Sequence, residues 1–323
     1  MTTSPGPARI WRGISAVPVD LGPSVVTVGV FDGVHRGHQV IVAEVVRRAR
    51  ALGAQAIAVT FEPHPLEVLR PGSHPALLTT AERRAELLTE LGIDGVLVIA
   101  FDAAVSHQTP EDFVQQVLVE GLHAVEVVVG SDFRFGHRAA GDVALLTATG
   151  AAEGFTVEGV GLVGDGRARW SSTAIREHLG AGDVGAAAVV LGRPHRVDGV
   201  VVEGDRRGRD LGFPTANLEP VEHAALPADG VYAGRLVRLD LEPGDPERSL
   251  PAAISVGANA TFEGTTHRVE AYVLDRDDLA LYGRPVGLEF VERLRAMERF
   301  GSVAELLEQI AQDVTLTRAA LSR

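Results

Sequence analysis

Two histidines three residues apart, His35 and His38 in VGVFDGVHRGHQ (28–39), follow an apolar run and precede a helical pattern. Imidazoles so placed have three readings: a metal pair, a seat for an anion, or two surface side chains beside a turn. Catalytic zinc helices carry His at i and i+4 with a glutamate between them, whereas here the spacing is three and position 36 is arginine. An anion seat fits better. At i and i+3 around a helix start the rings face the same way, and the free N–H groups and positive dipole end of the helix favour phosphate. Gly33 and Gly37 remove side chains where backbone or ligand must come close.

Four further stretches carry candidate chemistry. RWSSTAIREHLG (169–180) sets Ser171, Ser172 and Thr173 before a helical pattern with Arg176 in its first turns. A lone serine would be only an N-cap, but three hydroxyls with an arginine suit phosphate oxygens and the charge of a polyphosphate leaving group. GSDFRFG (130–136) joins Asp132 to Phe133 and Phe135 in a chain with 5% aromatic residues. In an extended segment one phenylalanine faces the core and the other is open to a flat ligand or anchors a loop. FEPHP (61–65) holds His64 between two prolines, as a ligand contact or a stiff turn.

The last stretch is EGDRRGRDLGFPTANL (203–218), where Gly204, Gly208 and Gly212 alternate with Arg206, Arg207 and Arg209. It reads as a basic loop for nucleotide phosphates without being a Walker P-loop, since no G-K-[ST] follows. Thr215 and Asn217 then alternate on one face and offer a hydroxyl and an amide oxygen to a hard cation such as Mg²⁺, or simply follow a structural turn at Pro214. Glu270 interrupts the apolar HRVEAYVLD as a rim charge or a general base.

These residues need elements to hold them. SVVTVGVF, AQAIAVTF, GVLVIAF and AVEVVVG alternate with helical segments in the first half, which predicts parallel strands and a doubly wound α/β domain. The helix after His38 is expected to face inward through Ile41, Val45, Ala49 and Leu52, and Thr109 with Pro110 opens another. His35 and His38 then lie beyond the carboxyl end of a strand, in the crevice where open α/β sheets bind ligands. After about residue 185 short strand-like runs follow one another without helices, which predicts an antiparallel barrel or sandwich. Ser302 and Glu305 form a capping box for a terminal helix.

Composition trims the function classes. The chain has 323 residues, room for two domains, a net charge of −13 and no cysteine. The acidic balance argues against sequence-independent nucleic-acid binding, and the missing thiols exclude disulfides, thiolate zinc sites and cysteine nucleophiles. No run approaches the roughly 18 apolar residues of a membrane span, so a soluble cytoplasmic protein with no nucleic-acid or membrane partner is expected.

Taken in order, GVFDGVHRGHQ, TFEPHP, VVVGSDFRFG, SSTAIR, GDRRGRDLGFPTANL, PADGVYA, AISVGANATF, VEAYVLD and SVAELLEQIAQDV resemble the bacterial bifunctional riboflavin kinase/FAD synthetases over roughly residues 20 to 320. The resemblance implies a Rossmann-like FMN adenylyltransferase in residues 1–186 and a six-stranded barrel kinase in residues 187–323. It implies ATP, riboflavin, FMN and FAD as substrates and products. His35 and His38 would then contact ATP phosphates, SSTAIR would hold the polyphosphate, and Asp132, Phe133 and Phe135 would lie near the flavin. Thr215 and Asn217 match the metal and nucleotide element of the kinase, and Glu270 matches its base. The family often has SSTRIR where this chain has Ala174, so one arginine is missing, and Arg176, Arg169 or Arg36 must supply the charge. The alternative is a kinase whose N-terminal half binds without completing adenylyl transfer. A second departure, Ala260 in NATF, concerns loop stiffness. Oligomeric state is not readable from these motifs.

Overall fold

A computed structural model describes residues 9–161, 164, 169–204, 212–261 and 264–323. They form two compact units that divide after Trp170, with Ala76–Thr80 belonging to the second.

The first unit is a six-stranded, all-parallel sheet with the order β1-β4-β3-β2-β5-β6. Its strands are β1 (Arg9–Arg12), β2 (Ser24–Val28), β3 (Gln55–Glu62), β4 (Gly95–Ala100), β5 (Ala124–Gly130) and β6 (Thr156–Val160). Every residue of β2 is buried, as expected for a central strand covered on both faces. The edge strands β1 and β6 are the two that apolar runs do not reveal: RIWR buries only Trp11, and TVEGV buries none of its residues.

Helix α1 (Arg36–Leu52) links β2 to β3 and ends at Gly53 in the left-handed conformation. Its inward stripe is Val42, Val45 and Ala49; Ile41 lies at the fringe and Leu52 is 57% exposed. The expected face holds at Val45 and Ala49 and departs at its ends, where Val42 is buried in preference to Ile41 and Leu52 lies next to the C-cap Gly53. Four shorter helices follow, α2 (Pro65–Leu69), α3 (Ala81–Glu90), α4 (Ala103–Ser106) and α5 (Pro110–Phe113). Thr109 caps α5, accepting from the Asp112 N–H at 3.1 Å, and the chain runs on as a π-helix over Val114–Gly121. Helix α6 (Val143–Glu153) precedes β6.

The second unit opens with α7 (Ser172–Gly180) and α8 (Val184–Leu191) and closes a six-stranded barrel. The barrel strands are β7 (His195–Val202), β8 (Thr215–Pro220), β9 (Gly230–Arg238), β10 (Ser249–Thr261), β11 (Gly264–Val273) and β12 (Pro285–Arg295), all paired antiparallel. Its interior holds fully buried Tyr232, Phe290 and Leu236. The terminal helix α9 (Val303–Leu321) is capped by Ser302, which accepts from the Glu305 N–H at 3.2 Å. No helix among the described residues is long and apolar enough to cross a membrane.

Candidate functional site

In the first unit, buried β2 feeds a tight turn that delivers His35 to the start of α1. Phe31, Gly33 and Val34 all have positive φ, at 51°, 82° and 39°. A phenylalanine and a β-branched valine in this region cost energy. Both are 2% exposed or less, so core packing holds the turn against its strain. His35 is the N-cap residue, its Nδ1 accepting from the His38 backbone N–H at 3.4 Å, and with Nδ1 as acceptor the other ring nitrogen is the N–H donor. A Cβ on Gly37 would lie 3.0 Å from the His35 ring, so glycine lets the imidazole fold back over the helix start.

The His38 ring stacks on His35 with centroids 3.6 Å apart and meets the edge of Phe31 at 5.2 Å. Its Nδ1 is buried without a partner in the protein. Burial, then the neighbouring His35 and Arg84, hold its pKa well below the usual imidazole range. His38 is thus a neutral imidazole rather than a cation.

A buried charge lies near them. Arg84 of α3 is 3% exposed and donates through Nη1 to Thr60 Oγ1 at 2.9 Å and Phe61 O at 3.1 Å. Thr60 in turn donates to Val30 O at 3.0 Å, just before the strained turn. Burial lowers the Arg84 pKa, opposed first by the charge of Asp32, itself 3% exposed. Spacing alone does not single out Arg84, yet a signal is present: it shares a helical stripe with Ala81, Ala85 and Leu88, all buried, and a charge on such a stripe calls for a reason.

Around this centre, His64 caps α2, its Nδ1 accepting from the Leu66 N–H at 3.1 Å, and β2 and β3 are neighbours as the crevice argument requires. Asp132 accepts from Arg169 at 2.6 Å, both side chains about half exposed. Phe133 and Phe135 stack on each other at 5.3 Å, Phe135 within a hydrophobic core cluster and Phe133 partly buried against it. The expectation that only one faces the core does not hold, because the segment turns at Gly130, where Phe133 N donates back at 2.9 Å, and is not extended.

In the second unit Ser171 is the N-cap of α7, its Oγ accepting from the Ala174 N–H at 3.2 Å. Ser172 and Thr173 fill the first turn, and Arg176 Nε donates to Ala76 O at 2.7 Å.

The barrel gathers the other candidates. Asn217 of β8 stands opposite Glu270 of β11, and Thr215 stands opposite Tyr272. Opposed residues share a sheet face, so Thr215, Asn217 and Glu270 lie together, while the alternate positions Leu218, Val269 and Ala271 are buried. A Cβ on Gly204 would fall 2.3 Å from Asn217 Nδ2, so the chain entering the basic loop runs directly over this amide. Gly204, Gly212, Thr215, Asn217, Arg276 and Tyr282 are among the residues lining a cavity of about 370 Å³. Glu270 pairs with Arg268 at 3.5 Å. Gly208, with Arg206, Arg207 and Arg209, lies outside the described residues. Among the described residues no group of three or more His, Asp or Glu could hold a metal.

Fold and sites define a two-module protein: a parallel α/β unit with a donor-rich turn beyond its central strand, and a closed barrel with a hydroxyl–amide–carboxylate face. The family model for FAD synthetase matches residues 18–174, and that for riboflavin kinase matches residues 191–321. The chain belongs to the family of bifunctional riboflavin kinase/FMN adenylyltransferases. It is 36% identical over 294 residues to the member from Escherichia coli (strain K12), covering 91% of each chain. It is 37% identical over 313 residues to that of Pseudomonas fluorescens, covering 96% of this chain and 97% of the other. A crystal structure described as a macrolide-efflux protein from Streptococcus pneumoniae superposes with a TM-score of 0.84 at 29% identity, covering 96% of this chain and 98% of that one.

Proposed function

We propose that this chain phosphorylates riboflavin to FMN and adenylylates FMN to FAD, with ATP as donor in both reactions, in the cytoplasm. The observation that carries the reading is that the two family matches follow one another along the chain, one over each candidate site. The first module is assigned residues 1–186, beyond the break after Trp170, because α7 carries the hydroxyls and Arg176 assigned to the first module's polyphosphate.

In the kinase, the ribityl 5′-hydroxyl attacks the γ-phosphorus of ATP, the bond to ADP breaks, and Glu270 accepts the hydroxyl proton. Gly204 and Gly212 bring backbone close to the nucleotide phosphates, and Gly208, outside the described residues, is assigned to the same phosphate-binding set. Thr215 and Asn217 would hold Mg²⁺: both offer hard oxygen, they share one face, and Gly204 closes over Asn217. Bound there, the cation supplies neutralisation of phosphate charge. In the adenylyltransferase, an oxygen of the FMN phosphate attacks the α-phosphorus of a second ATP, the α–β bridge breaks, and pyrophosphate leaves. His35 and His38 donate N–H groups to the phosphates, Gly33 and Gly37 admit them, and Ser171, Ser172, Thr173 and Arg176 take the departing polyphosphate. Asp132, Phe133 and Phe135 flank the flavin, the partly exposed Phe133 offering an aromatic face backed by buried Phe135.

The test supplies each substrate separately to the full chain with ATP and Mg²⁺. Riboflavin gives FMN and added FMN gives FAD plus pyrophosphate. Absence of FMN contradicts the kinase, and absence of FAD from FMN contradicts the adenylyltransferase.

A further inference from the structure

Adenylyl transfer leaves a pyrophosphate whose charge needs a cation, and Ala174 stands where the family pattern often has arginine. Three arginines could compensate, and the structure separates them. Arg169 is spent on Asp132 at 2.6 Å. Arg176 directs Nε to a main-chain carbonyl, Ala76 O, at 2.7 Å. Arg36 forms no ion pair among the described residues; its guanidinium lies over the Trp170 ring, 5.7 Å from the centroid.

Arg36 is the first residue of α1, directly after the capping His35, and no acidic residue occupies that first turn. Trp170 is tied to the same spot, since its carbonyl oxygen lies 3.4 Å from where a Gly37 Cβ would stand. The indole Nε1 is buried without a partner, as is His38 Nδ1. Two buried nitrogens with no partner in the protein, beside a guanidinium that forms no ion pair and lies on an indole face, put polar groups where a phosphate can bind. Stacking on an aromatic face keeps a guanidinium extended and weakly hydrated while its N–H fork stays available to phosphate oxygens.

We infer that Arg36, held in place by Trp170, contacts the pyrophosphate moiety during adenylyl transfer beside Arg176 and supplies the second cation that position 174 does not. Arg36 is thereby a binding residue and Trp170 a positioning residue; both assignments rest on the adenylyltransferase reading of the first module.

Titration calorimetry of the full chain with inorganic pyrophosphate tests this without requiring turnover. Arg36→Ala weakens pyrophosphate binding at least tenfold, while Arg36→Lys, which keeps the charge but not the stacked fork, falls between it and the unaltered chain. Trp170→Leu weakens it several-fold, and Trp170→Phe, which retains an aromatic face, restores it. In FAD formation the same Arg36→Ala change appears as a loss in kcat/KM for ATP. The urea-unfolding transition and far-UV circular dichroism of each preparation, matched to the unaltered chain, report on folding of the first unit. Unchanged pyrophosphate affinity in Arg36→Ala, or no pyrophosphate binding by the unaltered chain, overturns the inference. An unaltered chain that binds pyrophosphate through Arg36 yet makes no FAD overturns the adenylyltransferase reading instead.

Discussion

His38 is held neutral by its surroundings, and this has a measurable consequence. In the unfolded chain its imidazole titrates near 6.5; in the folded chain burial, His35 and Arg84 hold the value well below that. Between the two values the unfolded state binds more protons, so His38 makes stability fall as pH drops below about 6.5 and contributes no such slope above it. His38→Asn flattens the dependence of unfolding free energy on pH between 7 and 5 by up to one proton, as read from urea unfolding at stepped pH; identical slopes would refute it. The pair itself was legible in the sequence, since a strand followed by H-x-x-H at a helix start leaves few roles. The neutrality of His38 was not, because it depends first on burial in the folded chain, then on His35 and last on Arg84, which is distant in sequence and seated on a stripe that periodicity assigns to apolar packing. Glu270 shows the converse. Alone in its strand it reads as a rim charge, and only the β8–β11 register, which sets it opposite Asn217, gives it company.

At the level of elements, α9 illustrates what the capping box leaves unsaid. Ser302 and Glu305 mark its start, but its attachment to the barrel comes from Asp313, 4% exposed, which accepts from Arg295 at 2.7 and 3.0 Å and from Gln309 at 3.1 Å. Removing one partner of a buried pair strands the other charge, so Asp313→Ala costs about 3 kcal/mol in denaturant unfolding. The exposed pair between Arg318 of the same helix and Asp275 behaves differently, and Arg318→Ala costs less than about 1 kcal/mol. Equal losses would contradict this ranking. The central strands and their helices were readable from apolar runs and caps; β5 begins and ends where AVEVVVG does. The edge strands β1 and β6 were not, because an edge buries too little to leave an apolar run. The turn at Gly130 was missed for a related reason: alternation of Phe133 and Phe135 mimics a strand, while the Phe133 N–H closes back on Gly130.

For the molecule as a whole, the change from alternating strands and helices to successive strands gave the two-module plan, and the family matches follow the same order. The compact units divide after Trp170, earlier than the change of rhythm near residue 185, because α7 and α8 are helical in pattern yet cluster with the barrel. Two sites with separate residues predict two separable reactions, joined only by FMN as product of one and substrate of the other. The most direct measurement is a progress curve with the Glu270→Gln chain, ATP and Mg²⁺, resolving riboflavin, FMN and FAD by chromatography. With riboflavin as substrate the variant forms FMN about 100-fold more slowly than the unaltered chain or worse, and with FMN supplied it forms FAD at close to the unaltered rate. Loss of both activities together, or undiminished FMN formation, would contradict the account.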